Sequence, residues 1–143
     1  MSRVFLGISA ATALIVMAGA AFAADQGMGN SSPLVYKLNA IGDSGQSGTV
    51  TLTPSTTDGK PSTTVVIAVT GEPTGAIEPA HIHSTSCPGT LTSVVYGLTS
   101  VVDGKSTTVV PAPIDTFASG FSVNIHKSKD EIKTYIACGN LKS

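Results

Sequence analysis

Tryptophan is absent from this chain of 143 residues, and there are only two cysteines and three histidines. Charge is scarce as well. Asp, Glu, Lys and Arg make up 12% of the sequence, about half the share usual in a soluble domain. Eight basic residues against nine acidic ones give a formal charge of −1, which excludes a basic nucleic-acid binder and an acidic tail protein. A hydrophobic content of 41% excludes a charged, disordered chain. No segment keeps a 3.6-residue apolar period, so a helical bundle is excluded. There is no internal repeat, no long linker and no phosphate-binding glycine motif. The length leaves room for one domain.

What is present begins with an N-terminal targeting signal. Arg3 is the only charge before Asp25, residues 4–22 are apolar or small, and Ala21-Phe22-Ala23 is an A-x-A cleavage pattern. Residues 1–23 therefore read as a secretory signal peptide. The alternative is an uncleaved anchor, because the apolar run approaches membrane-spanning length. Cleavage after Ala23 removes Arg3, takes the charge to −2, and sends the chain to the periplasm or outside the cell with no membrane attachment. Residues 24–33 are rich in Gly, Ser and Asn and read as a flexible leader before the fold.

Beyond the leader the pattern is one of short strands, at 34–38, 49–53, 63–69, 80–84, 93–98, 106–110, 121–126 and 133–138. Each is rich in β-branched residues or alternates with period two. Asp103-Gly104 is the clearest turn signal. Asp58-Gly59 is another, in a segment (54–62) that reads as long for a hairpin loop. Residues 127–132 have the composition of a single helical turn. About eight short strands at this spacing predict an all-β, antiparallel Greek-key sandwich or barrel.

The five rare residues carry the chemistry. In an exported chain, Cys87 and Cys138 read as one disulfide; free buried thiols, or a thiolate site using Cys87 four residues after His83, are the alternatives. His81 and His83 are spaced i, i+2 and share one strand face, with Ile82 on the other. In the last His-bearing strand Phe121, Val123 and Ile125 share a face, which leaves Ser122, Asn124 and His126 opposite. Parity thus places all three imidazoles on polar, outward faces. If the two strands are neighbours, the three form a nitrogen site for copper, zinc or nickel. If not, they are surface or hydrogen-bonding histidines.

Ala80-His81-Ile82-His83, Cys87, Asn124-Ile125-His126 and Ala137-Cys138-Gly139, in that order, resemble the copper/zinc superoxide dismutase superfamily. More closely, together with Gly48-Thr49-Val50-Thr51-Leu52, Lys127-Ser128 and Tyr135-Ile136, they are similar to the bacterial chordin-type (CHRD) domains, a pared-down form of that fold. The resemblance implies a dismutase-like domain over residues 34–143. It also implies one copper ion on His81, His83 and His126 and a Cys87–Cys138 disulfide. Alternation sets Asn124 on the face of His126 and Tyr135 on the face opposite Cys138, either beside the metal or in packing or strand-edge duty. There are departures too. No histidine lies between His83 and His126, so the bridging ligand is missing and no second, zinc site is expected. The arginine that the superfamily carries three residues before its last cysteine is Tyr135 here.

Three functions compete on this reading. The first is an exported protein that binds, buffers or transfers copper, with the metal ion as its partner. The second is a reduced, copper-only superoxide dismutase, with Lys127, Lys129 and Lys133 available to attract an anion. The third is a structural or adhesive module without metal. A zinc hydrolase is more remote, because its only candidate base, Glu78, reads as a loop residue.

Overall fold

The computed structural model describes residues 32–142. The expected signal peptide and most of the expected leader lie outside the described residues. Eight antiparallel strands close into a barrel: β1 (Leu34–Ala40), β2 (Ser47–Thr57), β3 (Lys60–Thr70), β4 (Ile77–His83), β5 (Val94–Val102), β6 (Lys105–Val110), β7 (Phe121–His126) and β8 (Tyr135–Leu141). Their order around the wall is β1-β2-β3-β6-β5-β4-β7-β8. The β3–β6 and β4–β7 neighbours are the crossovers of Greek keys. The all-β expectation therefore holds, and all eight expected strands are present.

Alternation along each strand sends one set of side chains inward. Val50, Leu52, Val65, Ile67, Ala80, Ile82, Val123 and Ile125 fill the barrel and are fully buried. Phe117, on a short 3-10 turn (Ile114–Phe117), plugs the space beside them against Tyr96 and Phe121, with ring centroids 5.8 and 5.5 Å away. Closure leaves no open sheet edge.

Three expectations are corrected. The segment 54–62 is not a loop: β2 and β3 stay paired up to Thr57↔Lys60. Asp58 and Gly59 both take positive φ, the tight two-residue turn whose twist matches the flanking strands. Pro54 and Pro61 did not stop this ladder. Residues 127–132 form hydrogen-bonded turns instead of a helical turn, with Glu131 N–H donating to Ser128 Oγ and Thr134 N–H to the Glu131 carbonyl. Glu78 lies within β4 and not in a loop. It shares the inner face with Ala80 and Ile82 and is 1% exposed. The intervening Pro79, which has no N–H, sits at an irregularity in the β4–β5 register and before the first β4–β7 pair.

Two turn glycines separate conformational need from space. Gly59 and Gly104 have the same φ of +73°, but a Cβ on Gly59 meets nothing. A Cβ on Gly104 collides with the Val69 carbonyl and lies 2.8 Å from Glu72 Oε1. Gly59→Ala is expected to cost about 1 kcal/mol, and Gly104→Ala about 2–4 kcal/mol. Urea unfolding of the two variants checks this; equal losses would contradict the packing at Gly104.

Candidate metal centre

The site is assembled by the pairing of β4 with β7. His81 lies opposite Asn124 and His83 opposite Ser122, so the outward faces of the two strands carry the three histidines on one patch of wall. Ring centroids are 4.8 Å apart for His81–His126 and 5.9 Å for both His81–His83 and His83–His126. One ligand nitrogen from each ring lies within 4.8 Å of the others, so the three could hold a metal ion.

That face is outward from the barrel but not open to water, contrary to the parity reading. His83, His126, Ser122 and Asn124 are fully buried, and only His81 is partly exposed. The cover is the β4–β5 connection. It leaves β4 at Ser84, crosses β7 and is fixed to β8 by the Cys87–Cys138 disulfide. Cys87 N–H also donates to Asn140 Oδ1 at 2.8 Å. The bridge joins positions 51 residues apart, for which loop-closure entropy gives about 4 kcal/mol. Both thiols are thereby removed as metal ligands. Behind Pro88 the chain turns at Gly89 (φ +69°), pressed so closely on the site that a Cβ there would lie 3.0 Å from His83 Nδ1 and 3.2 Å from Asn124 Nδ2.

The same connection orients His83. Its Nδ1 lies 2.9 Å from the Thr90 carbonyl, and only a protonated Nδ1 can donate there. The lone pair is therefore on Nε2, which is buried and has no partner. Ser93 closes the arrangement, its Oγ donating to the same carbonyl at 2.7 Å. His81 Nδ1 is likewise buried without a partner, and neither nitrogen of His126 reaches hydrogen-bond geometry. Buried polar atoms are ordinarily satisfied. Three imidazoles converging with unused nitrogens fit a site that presents lone pairs to a cation.

Electrostatics agree. Burial pulls the His81 pKa down, and the neighbouring His83 adds to this. Burial lowers that of His83 against the opposing Thr90 carbonyl. His126 is pushed down to about 4, mainly by burial and then by His81, with the Ile132 carbonyl acting the other way and His83 adding a little. All three rings are neutral at pH 7, the state that ligates metal.

Of the two flanking residues, Tyr135 packs directly on the site, its ring 4.6 Å from that of His126 and 6.3 Å from that of His83. A register shift between β7 and β8 sets Tyr135 opposite His126. Asn124 bonds Ser122 Oγ through Nδ2 at 3.1 Å, and its Oδ1 is buried without a partner. Lys127 is engaged with Glu131 at 2.9 Å. Thr90, Ser93 and Gly89 escape sequence reasoning; the only signal was the Pro88-Gly89 turn dipeptide. No protein-family model matches the chain, and no curated protein or solved structure matches it.

The lowered histidine pKa values set a stability test. Unfolded histidines take up protons near pH 6.5, and folded His126 does so only at about 4. The unfolded state then binds more protons between those values. The histidines' contribution to the stability of the metal-free fold is complete above pH 7 and is lost as pH falls from 6.5 to 4. His126 alone contributes on the order of 3 kcal/mol to that loss. Denaturant unfolding at pH 7 and 4.5, with His126→Asn as reference, measures the difference; the same slope in both proteins would contradict it.

Proposed function

We propose that this is an exported copper-binding protein in which His81, His83 and His126 hold a single ion. The observation that carries the reading is the convergence of three buried, neutral imidazoles with unpartnered nitrogens, one ligand atom of each within 4.8 Å of the others. A donor set of nitrogen alone, without thiolate or carboxylate, suits copper, zinc or nickel, and copper binds such donors most tightly of the divalent ions. The disulfide supports an oxidising compartment, and among the described residues no helix is long and apolar enough to cross a membrane. The resemblance to chordin-type domains and to dismutases supports the same assignment. Bound copper supplies one-electron redox chemistry and Lewis acidity.

The residues around the site favour binding or transfer over fast turnover. His83 and His126 are fully buried, so His81 alone faces the approach. Tyr135 brings no charge. Lys127, the nearest lysine in sequence, is already paired with Glu131. Superoxide dismutation remains the second reading, favoured by the partly exposed His81, at which a small anion can arrive. A zinc hydrolase is disfavoured because Glu78 points into the barrel while the histidines point out.

The disulfide-intact protein is expected to take up one copper per chain by elemental analysis. His81→Ala, His83→Ala and His126→Ala should each weaken that uptake by at least about 10-fold. Copper-loaded protein, freed of loose metal, should consume superoxide far below the diffusion limit. Undiminished copper affinity in His126→Ala would reject the shared site. Near-diffusional turnover that vanishes in His81→Ala would make dismutation the function.

A further inference from the structure

A second polar site lies at one end of the barrel, where the histidine centre makes no use of it. Glu78 and Gln46 are 1% and 3% exposed. Gln46 Nε2 donates to Glu78 Oε1 at 2.6 Å. Glu78 Oε2 and Gln46 Oε1 are both buried without a partner. Turning the amide over would set its oxygen against a carboxylate oxygen, so this orientation is the one an ionised Glu78 selects. Two acceptors are left, and both residues line a cavity of about 490 Å³.

Among the described residues no donor bonds either of them. Ser44, also on the cavity wall, spends its hydroxyl on the Ile136 carbonyl at 2.6 Å. Lys127 at the rim is paired with Glu131. The remaining charge is negative: Asp43 is at the wall, and Glu72, with one oxygen also unpartnered, raises the Glu78 pKa through its charge, after burial has done so. Ile41, Pro73, Ala76 and Ile136 and the ring of Tyr135 give the lining its apolar surface, beside the hydroxyl residues Ser128 and Thr134.

We infer that this cavity binds a small organic cation, a primary ammonium on an apolar body, with its N–H groups on Glu78 Oε2 and Gln46 Oε1. A hard metal ion such as calcium wants six to eight oxygens, and the buried, unpartnered acceptors on this wall number two. An ammonium needs two or three acceptors, an excess of negative charge and an apolar surface for its carbon skeleton. All three are present.

Benzylamine is the probe, with isosteric benzyl alcohol for comparison, titrated into the full disulfide-intact protein by calorimetry and followed at the Gln46 side-chain amide by NMR. The amine should bind in the millimolar range or tighter and shift that amide. The alcohol should bind at least about 10-fold more weakly. Glu78→Gln should bring the amine down to the level of the alcohol. Ala76→Phe, which fills the cavity and keeps the carboxyl, should abolish both. His81→Ala should leave amine binding unchanged, which separates this site from the metal centre. Equal affinity for amine and alcohol, or no amine binding at about 10 mM, would overturn the inference. So would undiminished amine binding in Ala76→Phe, or displacement of the amine by equimolar calcium.

Discussion

The antiparallel pairing of β4 with β7 is the constraint on which the centre depends. It is a product of topology, since the two strands are separated in sequence by β5 and β6 and meet only because the chain follows a Greek-key path. Their register sets His81 against Asn124 and His83 against Ser122. A slip of one residue would send Ile82, Val123 and Ile125 outward and the imidazoles into the core. Hydrophobic packing of the inner face therefore fixes the position of the outer one. The histidines need no local device to bring them together.

Orientation is a separate matter, and it comes from the connection that covers the site. The Thr90 carbonyl settles which nitrogen of His83 carries its proton. The disulfide and the Cys87–Asn140 hydrogen bond hold that connection across β7 and β8. The same cover removes water from His83, as the ring of Tyr135 does from His126, and burial keeps both neutral. Burial without protonation leaves unpaired nitrogens, which is costly in an ordinary core. A cation offsets that cost, and this links the stability of the face to its occupancy.

Much of this was legible in the sequence. Period-two alternation around Ile82 and in 121–126 put the three histidines on one side of their strands, and the Asp-Gly pairs marked the hairpin turns. Alternation says which face a residue occupies, but not what lies over it. The cover on His83 comes from a ten-residue connection with no periodicity to read, and His126 is packed by the ring of Tyr135. Glu78 shows the converse: Pro79 beside it makes the stretch look like loop, yet the strand runs through, because the β4–β7 pairing begins only at Ala80. Alternation also put Tyr135 on the face opposite Cys138, beside the histidines; that it pairs with His126 depends on a register shift, which alternation cannot anticipate. The prolines at 54 and 61 likewise hid a continuous ladder, since pairing there is decided by the turn at Asp58-Gly59.

The most direct measurement of the three-histidine centre is long-range ¹H–¹⁵N NMR of the imidazoles, before and after loading with diamagnetic Cu(I). The account predicts that one nitrogen of each of His81, His83 and His126 moves to a metal-bound shift. His83 should bind through Nε2 and keep its Nδ1 proton on the Thr90 carbonyl. Fewer than three shifted rings, or His83 metallated at Nδ1, would contradict it.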